Sequence, residues 1–207
     1  MWFAGTGRYV SKPKRIGVFG GTFDPIHKGH LAIAHAACEQ AQLDKVLFVI
    51  AANPPHKHGN AITPAPLRVA MTEAAIAGEK RFEVSRIELD RKGPSYSADT
   101  LRRLHELLSP VELYFIVGYD SALDLPRWRQ PDEILRLSKL LVAPRPDLKA
   151  PLPGMVAKRG GMLKMEEYPV SSSEIREHME RGEDMNAWLP PPTAAFIAEK
   201  GLYHAGG

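Results

Sequence analysis

The segment that most constrains this chain is a short apolar run ending in paired glycines, Arg15-Ile16-Gly17-Val18-Phe19-Gly20-Gly21. A loop punctuated by Pro25 and Gly29 follows, and then residues 31–43, rich in alanine and free of proline and glycine. That order reads as strand, glycine turn, helix. Lys45-Val46-Leu47-Phe48-Val49-Ile50-Ala51 is a continuous β-branched and aromatic run, the pattern of a strand covered on both faces in a parallel sheet. The first unit is therefore βαβ.

The alternation continues to the end of the chain. Residues 52–66 hold four prolines around His56, Lys57 and His58, and form a loop leaving the carboxyl end of the second strand. A helix is predicted over 66–77, closed by Gly78, then a strand over 82–89, a helix over 97–108 and a buried strand over 111–117. Residues 139–143 make a further strand, ended by Pro144 and Pro146. After a Pro/Gly-rich connection over 145–161, a strand over 162–168 and helices over 172–181 and 193–200 complete the pattern, the last stopped by Gly201. Four or five strands alternating with helices predict an α/β fold: a Rossmann-like doubly wound parallel sheet with helices on both faces. Its ligands bind beyond the carboxyl ends of the strands. Residues 15–207 read as one domain and residues 1–14 as a poorly ordered extension. That extension has no hydrophobic stretch of the kind a secretion signal needs.

Composition excludes several function classes. With 44% hydrophobic and 25% charged residues, the 207-residue chain has the make-up of a globular protein with a full core. Its 27 basic and 24 acidic residues leave a net charge of +3, enough for an anionic ligand. The dense basic stripe with interleaved aromatics that nucleic acid requires is missing. No run approaches the ~20 apolar residues needed to cross a bilayer. The lone cysteine, Cys38, lies among alanines and reads as a buried thiol in a reducing cytoplasm.

The loop Gly20-Gly21-Thr22-Phe23-Asp24-Pro25-Ile26-His27-Lys28-Gly29-His30 carries the chemistry. Paired glycines let the backbone turn sharply with its N–H groups exposed, and the helix starting near Gly29 adds the unpaired N–H groups of its positive end. Together they form an anion site of the kind that holds phosphate. His27 and His30 can both face that site, donating hydrogen bonds or carrying charge. Thr22 adds a hydroxyl, and Asp24 can brace the turn. A zinc half-site is the competing reading of His-x-x-His, but no cysteine or Glu/His partner stands at a zinc spacing. No Gly-Lys-Ser/Thr follows, so this is not a Walker loop.

This segment resembles the Gly-Thr-Phe-Asp-Pro-x-His-x-Gly-His signature of the HxGH nucleotidylyltransferase superfamily, with every defining residue present. Further segments are similar, in order and approximate spacing, to those of the bacterial nicotinate-nucleotide adenylyltransferases: Asn53-Pro54-Pro55-His56-Lys57, Gly93-Pro94-Ser95-Tyr96-Ser97-Ala98-Asp99-Thr100-Leu101, Gly118-Tyr119-Asp120, Trp128 and Ser171-Ser172-Ser173-Glu174-Ile175-Arg176. The similarity runs from Arg15 to about Tyr203. Ser97, Tyr119 and the triple serine depart mildly from the usual pattern, and Tyr119 alone changes bulk.

The resemblance implies transfer of AMP from ATP to nicotinate mononucleotide. ATP would be held by Gly20, Gly21, Thr22, Phe23, His27, His30, Gly118, Asp120, Ser172, Ser173 and Arg176. The acceptor would be held by His56, Lys57, Tyr96, Ser97 and Trp128. His27, His30, Thr22, Lys57 and Arg176 would act on the phosphates under transfer, with Mg²⁺ arriving on ATP and no metal site of the protein's own. Simpler roles compete for several of these residues. Ser95 or Ser97 fits a helix N-cap, Asp120 fits a cap, and Ser171-x-x-Glu174 fits a capping box. Trp128 could simply pack, although two flanking arginines, Arg127 and Arg129, would be drawn inward with it. Trp188 and Pro190-Pro191-Pro192 read as structural. Two other functions share parts of the pattern: a superfamily nucleotidyltransferase acting on phosphopantetheine, and a non-catalytic nucleotide sensor.

Overall fold

A computed structural model describes residues 13–52, 62–91, 93–146 and 150–204. Among the described residues, six parallel strands form one sheet: β1 (Lys14–Gly21), β2 (Lys45–Ile50), β3 (Phe82–Ser85), β4 (Val111–Gly118), β5 (Ser138–Ala143) and β6 (Gly160–Met162). Their order is β3-β2-β1-β4-β5-β6. The sheet thus grows outward from β1 in one direction, then restarts at β4 and grows in the other. That reversal is the doubly wound topology expected, and its six strands fall on the six strand segments read from the sequence. The helices are α1 (Lys28–Ala41), α2 (Ala65–Ile76), α3 (Ser97–Leu108), α4 (Tyr119–Asp124), α5 (Pro131–Leu137), α6 (Gly154–Ala157), α7 (Ser172–Glu180) and α8 (Pro191–Lys200).

Side chains alternate across each strand, so the four central strands, β2, β1, β4 and β5, feed two cores. Phe19, Phe48 and Ile116 point to the face where Ala34, Ala37 and Cys38 of α1, Val69 and Met71 of α2, Ile175 of α7 and Ile197 of α8 pack. Val18, Val49 and Phe115 point to the other, against Ala98, Leu101 and Leu104 of α3, Ala122 of α4, Ile134 of α5 and Val156 of α6. Two-sided burial explains why β2 and β4 read as continuous apolar runs. The alanines of α1 let that helix lie close over the sheet.

Two strands are shorter than their patterns predict. β3 ends at Ser85, and residues 86–91 close into turns in which the Leu89 and Asp90 N–H groups donate to the Arg86 carbonyl. The expected strand over 162–168 gives way to β6, which reaches only Met162. Beyond it the Leu163 N–H still donates to the Val142 carbonyl, but Lys164 pairs with a side chain: its N–H donates to Gln40 Oε1 and its carbonyl accepts from Gln40 Nε2. A glutamine on α1 has replaced the sheet ladder there. Trp188 and the proline run are structural, as expected. The Trp188 carbonyl accepts from the Lys28 N–H at 2.9 Å, and Pro191 occupies the first turn of α8. The expected extension falls largely on residues 1–12, outside the described residues.

Candidate active site

The reversal between β1 and β4 opens a crevice at their carboxyl ends, and the loop joining β1 to α1 lies across it. Phe23 sits at φ 50° with its ring 2% exposed, edge-on to Phe19 and packed against Phe48. Its ring therefore belongs to the core and lines neither of the cavities described below, which leaves its backbone to face a ligand. Gly21 is glycine for the same reason: a Cβ there would meet the Phe23 ring at 2.9 Å. Beneath the loop, the guanidinium of Arg68, 2% exposed, donates to three carbonyls, those of Thr22 (2.8 Å), Ala51 (3.0 Å) and Thr63 (2.8 Å). Asp24, 1% exposed, accepts from the Tyr203 hydroxyl at 2.6 Å and the Thr63 N–H at 3.2 Å. Each buried charge is spent on fixing backbone, the condition under which burial is tolerated.

The two histidines meet at the start of α1. His27 is its N-cap, and the His27 N–H donates to Nδ1 of His30 at 3.2 Å. In the neutral ring this places the His30 proton on Nε2. The rings lie 3.7 Å apart, tilted by 34°. A Cβ on Gly29 would come within 3.0 Å of the His27 ring and 3.1 Å of Tyr168, so only glycine leaves that ring room. His27 is buried, its Nδ1 has no hydrogen-bond partner among the described residues, and burial lowers its pKa to about 4, partly opposed by Glu174. It is therefore a neutral imidazole at pH 7. Of the two roles expected for an imidazole here, donating a hydrogen bond or carrying charge, burial leaves His27 the first.

On the β5 side of the crevice a cavity of about 370 Å³ is lined by Gly20, His27, His30, Gly118, Asp120, Ser172 and Ser173. α7 delivers the serines. Ser171 and Glu174 form the expected capping box, Ser172 Oγ donates to the Pro25 carbonyl at 2.9 Å, and Arg176 donates to the Asp24 carbonyl at 2.6 Å. Arg176 thus grips the loop from behind and also reaches Ser173 at 3.4 Å. Asp120 stands in the first turn of α4 and pairs with Arg145 at 2.7 Å. The Tyr119 hydroxyl, whose bulk was the main departure from the family pattern, donates to the Ala150 carbonyl at 2.7 Å.

On the other side, a cavity of about 580 Å³ is lined by Gly20, Gly21, Thr22, Ser95, Tyr96, Ser97, Phe115, Trp128 and Arg129, among others. Trp128 is half-buried, with its ring edge-on to Phe115 at 6.2 Å, while Arg127 and Arg129 remain exposed. The packing and ligand-facing readings of this indole are thus compatible. The expected serine N-cap of α3 is absent. Tyr96 is the N-cap and makes no side-chain cap bond, and the Ser95 hydroxyl is buried with no partner among the described residues. The uncapped first turn of α3 and that hydroxyl both border the cavity. Glu88, 8% exposed, is also in its wall and accepts from the Thr100 hydroxyl at 2.7 Å.

The two cavities meet at Gly20, Gly118 and Ser121. His56 and Lys57 lie outside the described residues. Reading the sequence missed Arg68, Glu88 and the Asp24–Tyr203 bond, and named Ser95 and Arg129 without giving them a place in the site. Arg68 and Tyr203 are remote from the motif and isolated among unremarkable neighbours, so nothing local marks them. Arg129 carried a signal, since it flanks a tryptophan that could not be buried easily.

Comparison with known proteins agrees with this geometry. The Cytidylyltransferase-like family model matches residues 18–178. Relatives named "Probable nicotinate-nucleotide adenylyltransferase" include one from Thermus thermophilus, 43% identical over 91% of this chain and 99% of its own. Another, from Dehalococcoides mccartyi, is 42% identical over 92% and 97%. Among solved structures, the fold is similar to that of Plasmodium falciparum nicotinic acid mononucleotide adenylyltransferase complexed with NaAD. The TM-score is 0.78 at 20% identity, covering 92% of this chain and 97% of that one. With a complete signature loop, two joined cavities and relatives matched along almost their whole length, the chain belongs to the nicotinate-nucleotide adenylyltransferase family of cytidylyltransferase-like enzymes.

Proposed function

We infer that the protein catalyses in-line attack by the 5′-phosphate of nicotinate mononucleotide on the α-phosphorus of ATP, giving nicotinate adenine dinucleotide and pyrophosphate, a step of NAD biosynthesis. The observation that carries this reading is the meeting of two cavities at Gly20, Gly118 and Ser121, one lined by His27, His30 and the α7 serines, the other by Tyr96, Ser97 and Trp128. Two nucleotides lying one in each bring their phosphates together at the loop between Gly20 and His30.

The nucleophile is already an anion, so no general base is required, and catalysis rests on positioning and charge stabilisation. His30, oriented by its Nδ1 bond, offers its Nε2 proton to the phosphates under transfer, and His27 does so as a neutral imidazole. The Gly21 and Thr22 backbone, pinned by Arg68, orients the α-phosphate. Arg176 has guanidinium N–H groups beyond those it uses on Asp24 and Ser173, and with Lys57 it serves the leaving pyrophosphate. Asp120 and the Ser172–Ser173 turn hold the rest of ATP, and the role assigned to His56 is in binding the acceptor. Mg²⁺ travels with the nucleotide on phosphate oxygens and water, the usual habit of this ion. A reducing cytoplasm suits Cys38, a thiol 2% exposed whose pKa burial raises.

One assay tests the reading: pyrophosphate release from MgATP with nicotinate mononucleotide, nicotinamide mononucleotide or phosphopantetheine in parallel. Fast release with the nicotinate acceptor is expected. Activity with phosphopantetheine alone would overturn the acceptor, and silence with all three would favour a nucleotide sensor.

A further inference from the structure

The acceptor cavity contains two charges of opposite sign that phosphate transfer does not use. Arg129 holds its guanidinium 4.6 Å over the Tyr96 ring and, among the described residues, makes no ion pair or hydrogen bond. Its neighbours differ. Arg127 pairs with Asp124 at 3.2 Å and Arg102 with Asp99 at 2.8 Å. Stacking on an aromatic face parks a guanidinium without satisfying its planar fork of donors, which is suited to a carboxylate.

Glu88 is the counterpart. Its side chain is 8% exposed, its one hydrogen bond among the described residues comes from the Thr100 hydroxyl, and no lysine or arginine there lies within ion-pair distance. A carboxylate withdrawn from water without a cation costs free energy, and a cationic ligand would offset it. The buried Ser95 hydroxyl, without a partner among the described residues, stands in the same wall, and the Trp128 indole offers a surface for a flat ring.

An N-ribosylated nicotinate ring is itself a zwitterion, with a positive ring nitrogen and a negative carboxylate on one plane. We propose that Arg129 and Glu88 are specificity-determining residues of the acceptor cavity, Arg129 recognising the ring carboxylate and Glu88 the positively charged ring. This inference rests on the proposed acceptor. A carboxamide offers no charge to Arg129, and a reduced, dihydropyridine ring offers none to Glu88, so the two contributions are separable by substrate.

The test compares kcat/KM for three acceptors, nicotinate mononucleotide, nicotinamide mononucleotide and reduced nicotinamide mononucleotide, in the wild type and in Arg129→Gln and Glu88→Gln. Arg129→Gln is expected to lower the acid-to-amide ratio about tenfold while the oxidised-to-reduced ratio holds within about threefold. Glu88→Gln keeps an oxygen to accept from Thr100 and is expected to lower the oxidised-to-reduced ratio about tenfold. The KM for MgATP reports that each variant is folded. If Glu88→Gln fails that check, Glu88→Asp, which keeps the charge but withdraws it by one methylene, should lower the same ratio by a smaller factor. Ratios that stay at wild-type values, or a uniform loss with all acceptors, would overturn the proposal. A wild type inactive with every pyridine nucleotide but active with phosphopantetheine would instead overturn the acceptor on which it rests.

Discussion

At the scale of single residues, the chemistry depends on side chains held in place by backbone. His30 is oriented by accepting the His27 N–H, and the His27 ring fits only because residue 29 has no Cβ. An imidazole fixed in this way has little reorganisation left when charge builds on a phosphate, so its contribution belongs to the transition state. His30→Ala is therefore expected to lower kcat about a hundredfold or more while changing the KM for ATP little. Steady-state kinetics at saturating acceptor would check this, and an unchanged kcat would remove His30 from the phosphates. The Phe19–Phe23–Phe48 packing beneath the loop lies outside that argument, because its part is to support the backbone.

At the scale of elements, α7 couples a helix start to the loop. Its capping box sets the first turn, from which Ser172 holds the Pro25 carbonyl and Arg176 the Asp24 carbonyl. Ser171→Ala is expected to cost about 1 kcal/mol of stability, read as a lowered midpoint in thermal unfolding, and to raise the KM for ATP more than that for the acceptor. Elements of this kind are legible from sequence when their signal is local. The capping box and the Gly201 stop lie within a few residues of what they define, whereas α8 starts at Pro191, ahead of the start expected at 193. α5 had such a signal too, Pro131 followed by Asp132 and Glu133, and it was overlooked between the tryptophan and the next strand. β6 and the end of β3 could not be read this way. Whether residues 163–168 continue a strand depends on a glutamine more than a hundred positions away, and Glu88 turns into the cavity only because residues 86–91 close on themselves. The motif residues were legible for the same local reason, whereas Arg68 and Tyr203 act through contacts that only the fold creates.

At the scale of the whole molecule, the active-site loop is also a contributor to stability, since His27 is buried at the start of α1. Its pKa in the folded protein is about 4, against 6.5 for an exposed histidine, with burial as the main cause. The unfolded chain therefore binds a proton at higher pH than the native one, and stability must fall as pH falls. The contribution is nearly complete above pH 6.5 and is lost progressively down to about pH 4. Between pH 7 and pH 5 the expected loss is about 2 kcal/mol from this residue alone. Other groups titrate over the same interval, so the measurement is a comparison: urea unfolding of the wild type and of His27→Asn at both pH values. The wild type should lose about 2 kcal/mol more than the variant on acidification. Equal losses would mean that His27 is hydrated in solution, and its role as a neutral donor to phosphate would fall with that.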